Sequence, residues 1–247
     1  MTYCVGMMLD RGLVMMSDTR TNAGVDNIAT FNKMHTWEVE GDRALILMSA
    51  GKLATTQSVV SMLDERTKAH DQRNPSILEA PSMFQVARLI AETLRDVISI
   101  HEDAGPRAAA QFGATLLLGG QVAGGPPRLF MIYPEGNFIE ASRDTPFFQI
   151  GETKYGRPII IRGYDPEMSM EDAVKLLMVS FDSTLKANLS VGLPLDLQVI
   201  ERNGFKPKHE HRITHDDPYF QAISSSWGDA LKNAFHSLPD YSFYRED

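Results

Sequence analysis

TYCVGMMLDRGLVMMSD, residues 2–18, is two apolar runs around a short polar turn, Asp10-Arg11-Gly12. Runs of this kind either side of so brief a turn predict an antiparallel hairpin that starts with the first residues of the chain. A turn centred near Arg11 pairs residues whose numbers sum to about 22. Thr2 then falls near residue 20 and Asp18 near Cys4. Thr2 and Asp18 share parity in that register, so both side chains are expected on one face of the ribbon.

Downstream, residues 28–39 carry β-prone residues, enough for one or two strands, and ALILM at 44–48 reads as a buried strand. Residues 53–67 place Leu53, Val59, Val60 and Leu63 at helical spacing. A polar, Pro-punctuated loop follows over 69–81. Ser82 then caps a helix over 83–101 with a wide apolar face, and Gly105-Pro106 ends it. Strands are expected at 114–118, 128–133, 138–141 and 147–150. Ser169, followed by Glu171 and Asp172, starts a helix over 170–186. A strand over 195–200 follows, then a polar tail with a helix over 219–235. Contiguous hairpins are incompatible with the strict βαβ alternation of a doubly wound parallel sheet. Two antiparallel sheets with helices on the outside would bury these elements.

Bulk properties narrow the function. The chain has 247 residues, 43% hydrophobic and 23% charged, with formal charge −8. It is long enough for a sizeable core. Without a basic run, nucleic-acid binding is disfavoured. Cys4 is the only cysteine, so no intrachain disulfide can form, and a reducing compartment fits. MTYCVGMMLDRG at the N-terminus lacks a basic region followed by an apolar one, so no secretory leader is expected, and no stretch approaches the ~20 apolar residues of a membrane helix. A cytoplasmic protein is the expectation, with no membrane partner.

One local feature carries chemistry. A small residue after the initiator Met permits Met1 removal, which would leave Thr2 with a free α-amine beside its hydroxyl. An α-amine titrates near ~7.7–8.0 and can take the hydroxyl's proton near neutrality. That pairing is one way to activate a weak hydroxyl nucleophile. Only position 2 offers it.

Thr2 with the TYCVG strand, SDTRTN at 17–22, Lys33 and MSAG at 48–51 resembles the β-type subunits of proteasomes, and among them the bacterial ancestral β subunits called Anbu. The resemblance extends over roughly residues 2–202. It implies an α+β fold of the N-terminal-nucleophile hydrolases, a four-layer αββα sandwich, with residues 203–247 as a C-terminal extension packed on the domain or on a neighbouring subunit. It implies a threonine-type peptidase or amidohydrolase. Thr2 would be the nucleophile, and Lys33 would lower the hydroxyl's proton affinity. Asp18 would hold Lys33, and the Gly51 N–H would serve the oxyanion hole. Thr21 and Ser49 would bind an extended peptide or unfolded-protein substrate. No metal or organic cofactor is implied. Relatives assemble, so a homo-oligomeric ring or open helical washer is expected; an ATPase partner is left open.

Two places depart from the family pattern. Glu152 or Thr153 stands where peptidase members carry a Ser after the 147–150 strand. Asn188 and Ser190 stand where they carry an Asp and a Ser, and an Asn supplies no negative charge. Glu152, Asn188 and Ser190 are therefore accessory candidates, and two further readings stay open. One is a catalytically weak or inactive structural subunit; the other is a small-amide hydrolase with the same mechanism. Taken without the resemblance, Asp18 and Lys33 read as a salt bridge and Gly51 as a helix-start glycine. Cys4 reads as a small buried residue. His209, His211 and His215 have metal-like spacing, but their charged neighbours favour a solvated polar segment.

Overall fold

The computed structural model describes residues 2–22, 28–68, 75–100 and 112–243. Among them the chain forms strands β1 (Tyr3–Leu9), β2 (Gly12–Asp18), β3 (Arg20–Asn22), β4 (Ile28–Thr30), β5 (Met34–Val39) and β6 (Arg43–Gly51). Helices α1 (Leu53–Lys68) and α2 (Met83–Ser99) follow. Next come strands β7 (Ala114–Val122), β8 (Arg128–Ile132), β9 (Phe138–Glu140) and β10 (Phe147–Gly151). Helices α3 (Arg157–Gly163) and α4 (Met170–Ala187), strands β11 (Leu195–Glu201) and β12 (His209–Ile213), and helix α5 (Pro218–His236) complete it. The polar stretch 21–26 reads as turn-rich, but Thr21 and Asn22 belong to β3; its remainder, the start of the 69–81 loop and the helix break at Gly105-Pro106 lie outside the described residues.

Two five-stranded antiparallel sheets form, in the orders β10-β1-β2-β11-β12 and β5-β6-β7-β8-β9, beside a β3-β4 ribbon. Period-two alternation distributes their side chains among three buried layers. On β1, Tyr3, Val5 and Met7 face a core shared with Leu177 and Phe181 of α4. On β6, Leu45 and Leu47 face Val86 and Ile90 of α2. Cys4, Leu13 and Met15 of the first sheet meet Ile46 and Met48 of the second in the middle layer. Each sheet thus has both faces covered, which is why strands such as 44–48 read as unbroken apolar runs rather than alternating ones. The result is the αββα sandwich. Ser82 and Ser169 cap α2 and α4 as expected, accepting from Gln85 N and Asp172 N.

Three sequence expectations are corrected. The hairpin turn holds two residues, with Leu9 opposite Gly12 and Cys4 opposite Ser17. One residue fewer in the turn flips the parity, so Asp18 follows Tyr3 in register and not Thr2. Second, RPIIIRG at 157–163 is a helix, α3, where no element was expected. Its Pro158 suits a first helical turn, but seven residues are too few to show a periodic apolar face. Third, the polar segment from 209 is a strand. β12 pairs with β11, Leu195 opposite Ile213, and only Ile213 is buried. An edge strand tolerates charged side chains, so its sequence does not alternate like a core strand's.

Candidate active site

Thr2 enters β1 one residue before its first pair. The loop after β10 clamps its backbone: Glu152 N donates to Thr2 O at 2.6 Å. Gly151 lies between them at φ +81°, where a Cβ would stand 2.0 Å from Thr2 O. No L side chain fits there, which is a role for Gly151 that sequence reasoning missed.

Asp18, at the end of β2, is fully buried. Its Oδ1 accepts from Tyr3 N at 2.9 Å and from Lys33 Nζ at 2.7 Å, and its Oδ2 from Gly192 N at 3.4 Å. Asp18 is thus brought to Thr2 through the next residue's amide, not by sharing its face. Burial pushes the Asp18 carboxyl above its ordinary value, although the Lys33 charge and these donors oppose the rise. Lys33 sits between β4 and β5 and also donates to Arg20 O at 2.6 Å. An ammonium has three protons; two are engaged in these bonds, and the group borders the same pocket as Thr2.

That pocket encloses about 290 Å³ and gathers Thr2, Thr21, Lys33, and Ser49 with Gly51 from four separate segments. Asn32, Ala50, Leu53, Thr56 and Gly151 complete the walls; none of these was anticipated as a site residue, because none carries chemistry that a sequence displays. Ser49 N donates to Lys33 O at 3.0 Å, which ties β6 to the Lys33 segment. Gly51 has φ +131°, and a Cβ on it would fall 2.5 Å from Gly113 O. Gly51→Ala is therefore expected to cost about 1–3 kcal/mol of stability and to distort the pocket wall. Thermal unfolding reads the first effect and turnover the second; an unchanged midpoint would mean the backbone tolerates a side chain here.

The two departures meet each other. Glu152 is buried, and its Oε2 accepts from Asn188 Nδ2 at 2.9 Å. Its Oε1 accepts from Lys154 N at 2.8 Å. Asn188 Oδ1 in turn accepts from Ser190 N at 3.0 Å. Glu152 thus sets a carboxylate against Asn188 while its backbone adjoins Thr2, and Thr153 is exposed. Ser190 takes part through its backbone and does not line the pocket. Arg20, not anticipated, spans the site: its carbonyl holds Lys33 and its guanidinium donates to Leu189 O at 3.0 Å.

Other candidates lie elsewhere. Cys4 is buried in the middle layer with its Sγ 3.8 Å from Ser49 O, and burial drives its thiol far above the ordinary value, so it is protonated and inert. His211 Nε2 lies 2.8 Å from Asp217 Oδ2. Among the described residues no three His, Cys, Asp or Glu side chains gather into a metal cluster. Nor is any described helix long and apolar enough to cross a membrane.

Comparison with known proteins agrees with this architecture. Residues 2–200 match the proteasome subunit family. The chain is 28% identical to proteasome subunit beta 2 of Pyrobaculum calidifontis over 201 residues, covering 81% of this chain and 89% of that one. Its structure superposes on Anbu (ancestral beta-subunit) from Yersinia bercovieri with a TM-score of 0.90 and 47% identity, covering 98% of this chain and 100% of the other. The Anbu complex of Pseudomonas aeruginosa, described as a helical assembly, gives a TM-score of 0.90 at 45% identity with 98% of each chain covered. The chain belongs to the proteasome subunit family, among the Anbu-type β subunits, and has their N-terminal-nucleophile hydrolase fold.

Proposed function

We propose that this chain is an N-terminal-threonine hydrolase that cleaves amide bonds in extended peptides or unfolded protein. The observation that carries the reading is the buried Lys33 ammonium, held by Asp18 and Arg20 O and bordering the pocket that contains Thr2. After Met1 removal the Thr2 α-amine takes the proton from Thr2 Oγ, and the nearby Lys33 charge favours the alkoxide. Oγ attacks the carbonyl carbon. The Gly51 N–H stabilises the oxyanion, an interaction whose loss costs such enzymes about 10²–10³ in rate. The tetrahedral intermediate collapses to an ester on Thr2, and the leaving amine takes a proton from the α-ammonium. Water, deprotonated by the amine, then hydrolyses the ester. Glu152, with Asn188, supplies the negative charge near the new N-terminus and favours its orientation. Thr21 and Ser49 border the path of the extended substrate. The chemistry balances with protons alone and calls on no metal or cofactor.

Residues 2–202 constitute the hydrolase domain in this reading, with 203–247 as an extension. The chain works in the cytoplasm as a homo-oligomer, a ring or an open helical washer, in keeping with the helical assembly of its Pseudomonas aeruginosa relative. The pairing of Glu152 with Asn188 in place of the Ser and Asp of peptidase members favours one second reading, a structural subunit with little turnover.

Labelling with a peptide epoxyketone, followed by intact and N-terminal peptide mass, separates the two. Loss of Met1 together with one adduct on Thr2 is the expected result. Unmodified protein that retains Met1 would leave the structural reading standing.

A further inference from the structure

Helix α5 carries more apolar surface than its own domain covers. Ile223, Trp227 and Leu231 recur every fourth residue and, with Ile159 of α3 and Leu176 and Val179 of α4, line a groove of about 710 Å³. The same stripe continues to Phe235, which is 70% exposed, and Leu238 beyond the helix is 62% exposed. After Pro239 come Tyr241 and Phe243, 80% and 88% exposed, their rings edge to face at 5.1 Å. Among the described residues the chain therefore holds an open apolar groove and, on the same extension, an aromatic tail that its own domain leaves exposed.

We propose that the tail of a second copy of this chain, residues 238–243, seats in this groove. This deepens the assembly reading above and rests on it. Charge agrees. Residues 240–247, DYSFYRED, hold three acids against one arginine, while the groove rim carries Arg162 and Lys175 against Asp172. Area sets the role of the contact. Two aromatic rings bury roughly 300–500 Å² together, below the ~1,000 Å² of a stable specific interface. The tail is an anchor within a wider contact to which Phe235 and Leu238 contribute.

The test uses the full chain. Ala230 lines the groove, is exposed, and tolerates a thiol; Cys4 is fully buried and gives no competing disulfide. An Ala230→Cys/Ser242→Cys double variant, which keeps both tail aromatics, oxidised with diamide and run on a non-reducing denaturing gel, is expected to form a ladder of covalent multimers. An equal mixture of the two single variants should give a cross-linked dimer. In sedimentation, Tyr241→Ser/Phe243→Ser should weaken assembly by roughly 30-fold or more. A monomer closed by an intrachain disulfide would place the tail in its own groove and overturn the proposal. So would the absence of any disulfide while wild-type protein still assembles. Wild-type protein that is monomeric at every concentration would overturn the assembly reading itself.

Discussion

Thr2→Ala is expected to abolish the proposed hydrolysis, with a loss of at least about 10⁴-fold in kcat/KM, while fold and assembly survive. Removing the nucleophile of a covalent hydrolase leaves only the residual rate of oxyanion stabilisation and binding. The variant should fold, because the contacts that fix residue 2 belong to the backbone. Its carbonyl accepts from Glu152 N, and the following amide donates to Asp18. Alanine also permits Met1 removal, so the N-terminus is processed as before. Thr2→Ser keeps both amine and hydroxyl and should retain activity that the epoxyketone still titrates. Turnover in purified Thr2→Ala at the wild-type rate would assign the nucleophile to another residue.

Lys33→Ala is the second large effect, and it acts on stability as well as turnover. The substitution removes the ammonium beside the pocket and leaves the Asp18 carboxylate buried without its counter-charge. Breaking a buried pair by deleting one partner costs about 3–5 kcal/mol. The pH dependence has a definite sign. Burial already raises the folded Asp18 carboxyl above 3.8, and losing Lys33, which opposes that rise, drives it higher. A raised carboxyl means the folded protein binds the proton more tightly than the unfolded chain. Its contribution to stability is therefore full below the unfolded value and is lost as pH rises through the folded one. The deficit of Lys33→Ala relative to wild type should be smallest near pH ~4 and largest near neutrality. Denaturant unfolding at the two pH values reads it directly; a deficit that does not change with pH would mean the Asp18 carboxylate stays solvated or finds another partner.

For wild type, the same raised value is expected to limit the proposed activity at acid pH. Protonating Asp18 releases the Lys33 ammonium from its main anchor. That loss is expected to begin at a higher pH than an ordinary aspartate would give.

The hairpin, the two capped helices and the antiparallel character of both sheets were legible in the chain because local period and turn chemistry determine them. Thr2, Lys33 and Gly51 were legible as candidates because their spacing matches a known family. The register of the hairpin was not. It depends on whether the turn holds two residues or three, and Asp10-Arg11-Gly12 is compatible with both. Strand β12 and helix α3 escaped for a related reason. One is an edge strand whose charged residues are tolerated by its position, and the other is too short to have a period.

The sequence by itself determined which residues can do the chemistry and which faces of the elements are apolar, since side-chain type and period are local properties. Only the tertiary structure decided how those residues act together. It set Asp18 against the Tyr3 amide and Lys33 rather than on the Thr2 face, and it placed the Glu152 carboxylate on the Asn188 amide. These pairings join positions up to 36 residues apart in the chain. Tyr3 meets Asp18 through the hairpin register, Lys33 reaches Asp18 from the segment that leads into the other sheet, and Glu152 meets Asn188 where the ends of β10 and α4 adjoin; the residue types alone encode none of these meetings.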